Sequence, residues 1–91
     1  MTEVKKKDKS FELYYEGKKA GVIEYNTDKD GILDITHTEV DQEFGGKGLG
    51  KELVKAVVEY AKDNHYKIIA SCPYAKKTME RTPEFKDVLV E

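Results

Sequence analysis

The chain has 91 residues, 38% of them hydrophobic, with six Tyr and three Phe, enough for one domain with a small core and too few for two. Its 16 Lys and Arg nearly balance 18 Asp and Glu, leaving a formal net charge of −2, which excludes a general pull toward nucleic acid or anionic membrane. One cysteine, Cys72, excludes an internal disulfide framework, and no apolar run approaches a membrane span or a signal-peptide core. The expectation is one soluble cytoplasmic domain over residues 1–91, with no nucleic-acid or membrane partner.

Residues 1–9 carry the basic cluster Lys5–Lys9 and read as a flexible, solvated tail. Three strands follow between Ser10 and Val40. In the first, Phe11, Leu13 and Tyr15 alternate with Glu12 and Tyr14. The turn "EGKK" leads to the second, where Val22, Glu24 and Asn26 alternate with Ile23 and Tyr25. The turn "NTDKDG" leads to the third, Ile32–Val40, with Leu33, Ile35 and His37 expected on one face and Asp34, Thr36 and Thr38 on the other.

The loop "DQEFGG" runs into a helix from Leu49, whose apolar stripe is Leu49, Leu53, Val54, Val57, Val58 and Ala61, with Asn64 as its stop. "KIIAS" reads as a short buried strand. "CPYAKKTMER" reads as a helix with Pro73 at its first position. Val88, Leu89 and Val90 are expected to pack back at the end. A strand–helix–strand unit requires parallel pairing of Ile32–Val40 with Lys67–Ser71 through a right-handed crossover. The fold class is therefore α/β, with a mixed sheet.

Four glycines, Gly45, Gly46, Gly48 and Gly50, fall within six residues at the start of the long helix. A helix start carries unpaired N–H groups and positive potential, and glycines let an anion approach them. Lys47 and Lys51 add charge. The spacing fits neither a P-loop nor G-x-G-x-x-G. The competing reading is a flexible loop with no ligand. Cys72 lies at the N-cap of the next helix, where the dipole lowers a thiol pKa; otherwise it is a small core residue. His37 reads as a general base or a structural strand residue, and Tyr74 as a proton donor near the same edge. Val40 and Ser71 end their strands on one sheet edge, which brings Cys72 beside the glycine loop. His65 reads as solvated. One Cys and two His with no ligand spacing give no expectation of a metal.

"GGKGLGKELV", opening a helix after a strand, resembles the acetyl-CoA motif of the GNAT superfamily of N-acetyltransferases, Gln/Arg-x-x-Gly-x-Gly/Ala. Gly48, Leu49 and Gly50 match its second half, and Gly45 stands where Gln or Arg is usual. With "DITHTEV" before it, and "SCPY" and "PEF" after it, the text from Gly21 to Phe85 is similar to very small GNAT-like proteins. The resemblance implies a minimal GNAT-like fold: an antiparallel N-terminal meander, a β-α-β acetyl-CoA-binding unit and a short C-terminal helix. It implies acetyl-CoA as cosubstrate. The loop and helix start, Gly45, Gly46, Lys47, Gly48, Leu49, Gly50 and Lys51, would hold its pyrophosphate. Thr38, Glu39 and Val40 would pair with the pantetheine arm, and the thioester would lie near Cys72. The larger members' two acceptor-shaping helices are not expected within these residues, because the first 40 read as tail and strands.

The expected function is therefore acetyl transfer from acetyl-CoA to an unidentified amine, on a small molecule or a protein. Two routes stand open: direct attack by the amine, with His37 as base and Tyr74 protonating the leaving thiolate, or a relay through Cys72. The rivals are a non-catalytic CoA or acetyl-CoA-binding module or accessory protein, and an unrelated phosphate- or nucleotide-binding domain. Oligomeric state has no signal.

Overall fold

The computed structural model describes residues 2–90. Five strands form one sheet in the order of the chain: β1 (Thr2–Lys6), β2 (Ser10–Tyr15), β3 (Lys18–Thr27), β4 (Ile32–Val40) and β5 (Lys67–Ala70). The first four are antiparallel neighbours, and β5 joins β4 in parallel. The crossover is α1 (Leu49–Asp63); α2 (Pro73–Arg81) and the short α3 (Pro83–Lys86) follow β5.

Local chemistry accounts for the junctions. Glu16 and Gly17 both adopt positive φ, 52° and 82°, the conformation of a two-residue hairpin turn whose twist matches its strands. Between β3 and β4, the Asp28 carboxylate accepts from the N–H groups of Asp30 and Ile32. Helix α1 stops at Asn64, whose side-chain amide donates to the Tyr60 carbonyl. Pro73 starts α2 where its missing N–H costs nothing.

Of the residues expected as a tail, Thr2–Lys6 form a strand instead, and Met1 lies outside the described residues. Val4 sits opposite Leu13 in register, and the Lys6 ammonium lies 4.9 Å over the Tyr60 ring. The lysines hide a strand with a single apolar residue, because β1 needs only one face to rest on its neighbours. At the other end, Val88 is buried and Leu89 bridges Ile68 in parallel, but Val90 is exposed rather than packed.

All six residues of the expected α1 stripe are buried, against Leu13, Ile23, Leu33 and Ile35 of the sheet and Ile68 of β5, each wholly inaccessible. Each such side chain contributes about 1.5–3 kcal/mol relative to exposure. The opposite sheet face, with Tyr14, Val22, Glu24, Asp34 and Ile69, holds no buried residue among those described. The helices thus cover one face and leave the other open.

Two strands depart from simple alternation: Ala20 is an extra residue of β3 between Leu13↔Gly21 and Tyr14↔Lys19, and a second shift, in β4, bears on the site. In the β3–β4 register Glu24 lies opposite His37 but Tyr25 opposite Ile35, so Thr36 is an extra residue. A bulge exchanges the faces of everything beyond it. His37 therefore does not share the face of Leu33 and Ile35: it is exposed, while Thr38 and Val40 turn toward the helices and are half-buried. The parity of apolar positions carries this signal, since Leu33 and Ile35 are odd and Val40 is even.

Candidate active site

Strands β4 and β5 pair only from Ile32↔Lys67 to Ile35↔Ala70. The last links are the Cys72 N–H to the Ile35 carbonyl, 3.0 Å, and the Ser71 N–H to the Asp34 carboxylate, 3.3 Å. Beyond them the chain turns into α2 at Pro73, while β4 continues to Val40, paired with β3 alone. The two parallel strands therefore fork, and β4 from Thr36 to Val40 has one bare edge.

The glycine loop faces this fork. A 3₁₀ turn, Gln42–Phe44, is capped by Asp41, whose carboxylate accepts from the Glu43 N–H. Gly46 and Gly48 have φ of +81° and +74°, and a Cβ at either would meet nothing within 4 Å. Glycine is required there by backbone conformation, and the space beside both is free. Gly48 is the N-cap of α1 and offers no side-chain acceptor. The N–H groups of Leu49, Gly50 and Lys51 have no intrahelical carbonyl to bond, the first such link being Glu52 N–H to the Gly48 carbonyl, so the first turn presents donors and positive potential.

A cavity of about 200 Å³ joins these parts. Its walls are Thr38 and Val40 of β4, Phe44, Gly45 and Gly46 of the loop, Gly48, Leu49 and Gly50 at the start of α1, and Tyr74 of α2. The Tyr74 ring rests on Gly50: a Cβ there would collide with the hydroxyl oxygen, and would lie 2.6 Å from Cζ. Tyr74 is nevertheless 47% exposed, so the ring covers the helix start as a flap with one face in solvent.

Cys72 stands at the apex of the fork. Its thiol is buried and donates to Thr38 Oγ1 at 3.6 Å. Burial pushes the thiol pKa up, but once the proton is lost the thiolate accepts from the Ala75 N–H, from the Thr38 hydroxyl, which rotates to donate, and from the Tyr74 N–H; together these outweigh burial, and the net direction is down.

The structure thus gathers Thr38, Val40, Gly45, Gly46, Gly48, Leu49, Gly50 and Tyr74, with Cys72 joined through Thr38. It separates others. His37 and Glu39 project to the open face, where His37 Nε2 lies 3.3 Å from Glu39 Oε1. The Lys47 ammonium sits 5.2 Å over the Tyr15 ring, and Lys51 is exposed; neither lines the cavity. Phe44 is a wall residue the sequence reading passed over. A lone aromatic in a glycine-rich loop is the signal: it is buried and packs 5.4 Å from the Tyr15 ring.

A family model described as GCN5-related N-acetyl-transferase matches residues 10–88. The chain belongs to that family. A solution structure of a GCN5-like protein from Staphylococcus aureus is 39% identical, covers 97% of this chain and 87% of its own, and superposes with a TM-score of 0.79. Protein NATD1 of Gallus gallus is 33% identical over 52 residues, 57% of this chain and 47% of that protein; the chain thus matches about half the length of this curated relative. N-acetylglutamate synthase from Neisseria gonorrhoeae, solved with coenzyme A and N-acetyl-glutamate, is 17% identical with a TM-score of 0.68 over 87% of this chain and 22% of its own, a likeness of fold alone. Five strands, a mixed sheet and the β-α-β crossover are the fold these neighbours share. Among the described residues, no helix is long and apolar enough to cross a membrane.

Proposed function

We propose that this domain binds acetyl-CoA and transfers its acetyl group to a primary amine. One observation carries the reading: β4 loses its partner at Ile35, and its bare edge leads into a cavity floored by an uncapped helix N-terminus. An extended amide-bearing arm needs an open strand edge, and a pyrophosphate needs converging N–H donors. Both lie on one path here. The family supports the same cosubstrate, as do fold neighbours solved with coenzyme A or acetyl coenzyme A.

Acetyl-CoA supplies an activated thioester carbonyl. In this reading the N–H groups of Gly46 to Lys51 hold the pyrophosphate, with Lys47 and Lys51 adding charge from outside the cavity. The edge of Thr38, Glu39 and Val40 holds the arm. Tyr74 donates a proton to the departing thiolate. The amine arrives from the open sheet face, where His37, oriented by Glu39, accepts its proton directly or through water.

The lowered pKa and the position of Cys72 favour a second route. The Cys72 sulfur attacks the thioester carbonyl, the bond to the CoA sulfur breaks, and the proton lost by Cys72 goes to the leaving thiolate. The amine then attacks the acetyl-Cys72 carbonyl; the thiolate departs and takes up the proton that the amine sheds.

The test is release of free CoA thiol from acetyl-CoA with polyamines, lysine peptides and peptide N-termini. Intact mass of the protein is recorded before amine is added. Amine-dependent release supports transfer, and acetylation of none of these amines above the blank overturns it. An added acetyl group, lost in Cys72→Ala together with turnover, selects the relay; full turnover of Cys72→Ala selects direct attack.

A further inference from the structure

Strand β1 is the edge of the sheet farthest from the fork, and among the described residues its outer side has no partner strand. Its hydrogen bonding can be read from the turn that closes it. The Lys7 N–H donates to the Ser10 carbonyl at 2.8 Å, and the β1–β2 register runs without a shift from Lys6↔Phe11 to Thr2↔Tyr15. Backbone direction alternates along a strand. Glu3 and Lys5, of the same parity as Lys7, therefore point their N–H and C=O groups at β2. Thr2, Val4 and Lys6 point theirs outward.

Side chains alternate in the same way. Val4, opposite Leu13, faces the helical layer. Glu3 and Lys5 lie on the open face, and the Lys5 ammonium sits 4.9 Å over the Tyr14 ring.

We propose that β1 pairs antiparallel with β1 of a second copy of this chain, about a two-fold axis through Val4, to make a continuous ten-stranded sheet. In this register Val4 meets Val4, and Thr2 meets Lys6 of the other copy. Every outward-pointing residue then faces another, so all their N–H and C=O groups are bonded. Glu3 of each copy comes opposite Lys5 of the other, in the non-hydrogen-bonded positions where side chains approach most closely.

Charge selects the register. A shift by two residues in one direction sets Glu3 against Glu3, and in the other direction Lys5 against Lys5. A shift by one residue sets outward backbone groups against inward ones and forms no ladder. The lysines of an edge strand ordinarily deter pairing with other proteins; here they admit a partner with Glu at the complementary position, and this strand supplies one. The strand is short, so the contact is small and the association weak. The fork lies at the opposite end of the sheet order, so the acetyl-CoA site stays open in the dimer.

Sedimentation equilibrium of the full chain from micromolar to millimolar concentration tests this. The expected result is a mass rising from that of one chain toward that of two. Glu3→Lys sets lysine against lysine in both symmetric pairs and should raise the dissociation constant about tenfold; Lys5→Glu should do the same with glutamates. Mixing the two single variants should restore association, because each then complements the other, which a folding defect in either could not produce. In the wild type, amide exchange at Thr2, Val4 and Lys6 should slow with concentration, while Glu3 and Lys5 stay unchanged. A single-chain mass at millimolar concentration, or an association indifferent to both charge changes, overturns the proposal.

Discussion

Gly50→Ala separates the flap over the site from the stability of the fold. Gly50 is the second residue of α1, and the three nearest atoms that a new methyl would meet beyond the helix's own backbone all belong to Tyr74. Alanine favours a helix over glycine by up to about 1 kcal/mol. Against that stands the ring contact. A fully buried aromatic contributes about 1.5–3 kcal/mol; Tyr74 is already 47% exposed, so displacing it forfeits roughly 1 kcal/mol. The two nearly cancel, and Tm should stay within about 4–8 °C of wild type, the span of 1 kcal/mol in a domain this size. Turnover should fall about tenfold or more, because the phenol no longer reaches the leaving thiolate, with Tyr74→Phe losing roughly a hundredfold at unchanged Tm. The assays are a thermal melt and amine-dependent CoA release. A stability loss beyond about 2 kcal/mol would show the ring locked in place rather than resting as a flap. Unchanged turnover in both variants would refute a role for Tyr74.

Gly48 holds φ +74° in open space, so Gly48→Ala should cost about 1 kcal/mol of strain and 4–8 °C in Tm, and Gly48→Asn clearly less, since Asn tolerates that region; equal losses would point to crowding instead. Tyr25 Oη is buried without a hydrogen bond, and burial raises its pKa although the Lys6 ammonium pulls the other way. Tyr25→Phe should leave stability unchanged or raise it by about 1 kcal/mol in urea unfolding, and a loss would reveal a hidden partner. The Cys72 pKa is lowered in the fold, so its thiolate adds stability at pH above the ordinary thiol value, and that contribution is lost as pH falls through the folded pKa. Its alkylation rate should accordingly reach half-maximum below the ordinary thiol pH, with Thr38→Val moving that midpoint up; no movement would detach Thr38 from the thiol.

Periodic segments were legible because their physics is local. The α1 stripe, a hairpin turn within "EGKK" and the Cys72–Pro73 helix start follow from spacing and backbone preference, although the turn itself takes only Glu16 and Gly17 and the two lysines open β3. The bulge at Thr36 left only a change of parity between Ile35 and Val40 in the sequence, and its place is fixed by the pairing with β3; it moved His37 off the face of Leu33 and Ile35. Strand β1 was not legible, because it is fixed by the neighbours of Val4 and Lys6 and not by its own composition. In the site, the glycine positions were readable since they serve the backbone. The Tyr74–Gly50 contact, the Cys72–Thr38 hydrogen bond and Phe44 in the wall are tertiary, and only their residues, not their meeting, could be named beforehand.

The central claim is that the fork and the uncapped helix form one acetyl-CoA site. A titration of isotope-labelled protein with acetyl-CoA, following backbone amides, addresses it directly. Saturable shifts should run from Thr38–Val40 through Gly45–Lys51 to Cys72 and Tyr74, with β1 and β2 unmoved. Binding that leaves the Gly45–Lys51 amides in place, or no binding at millimolar ligand, would contradict the account.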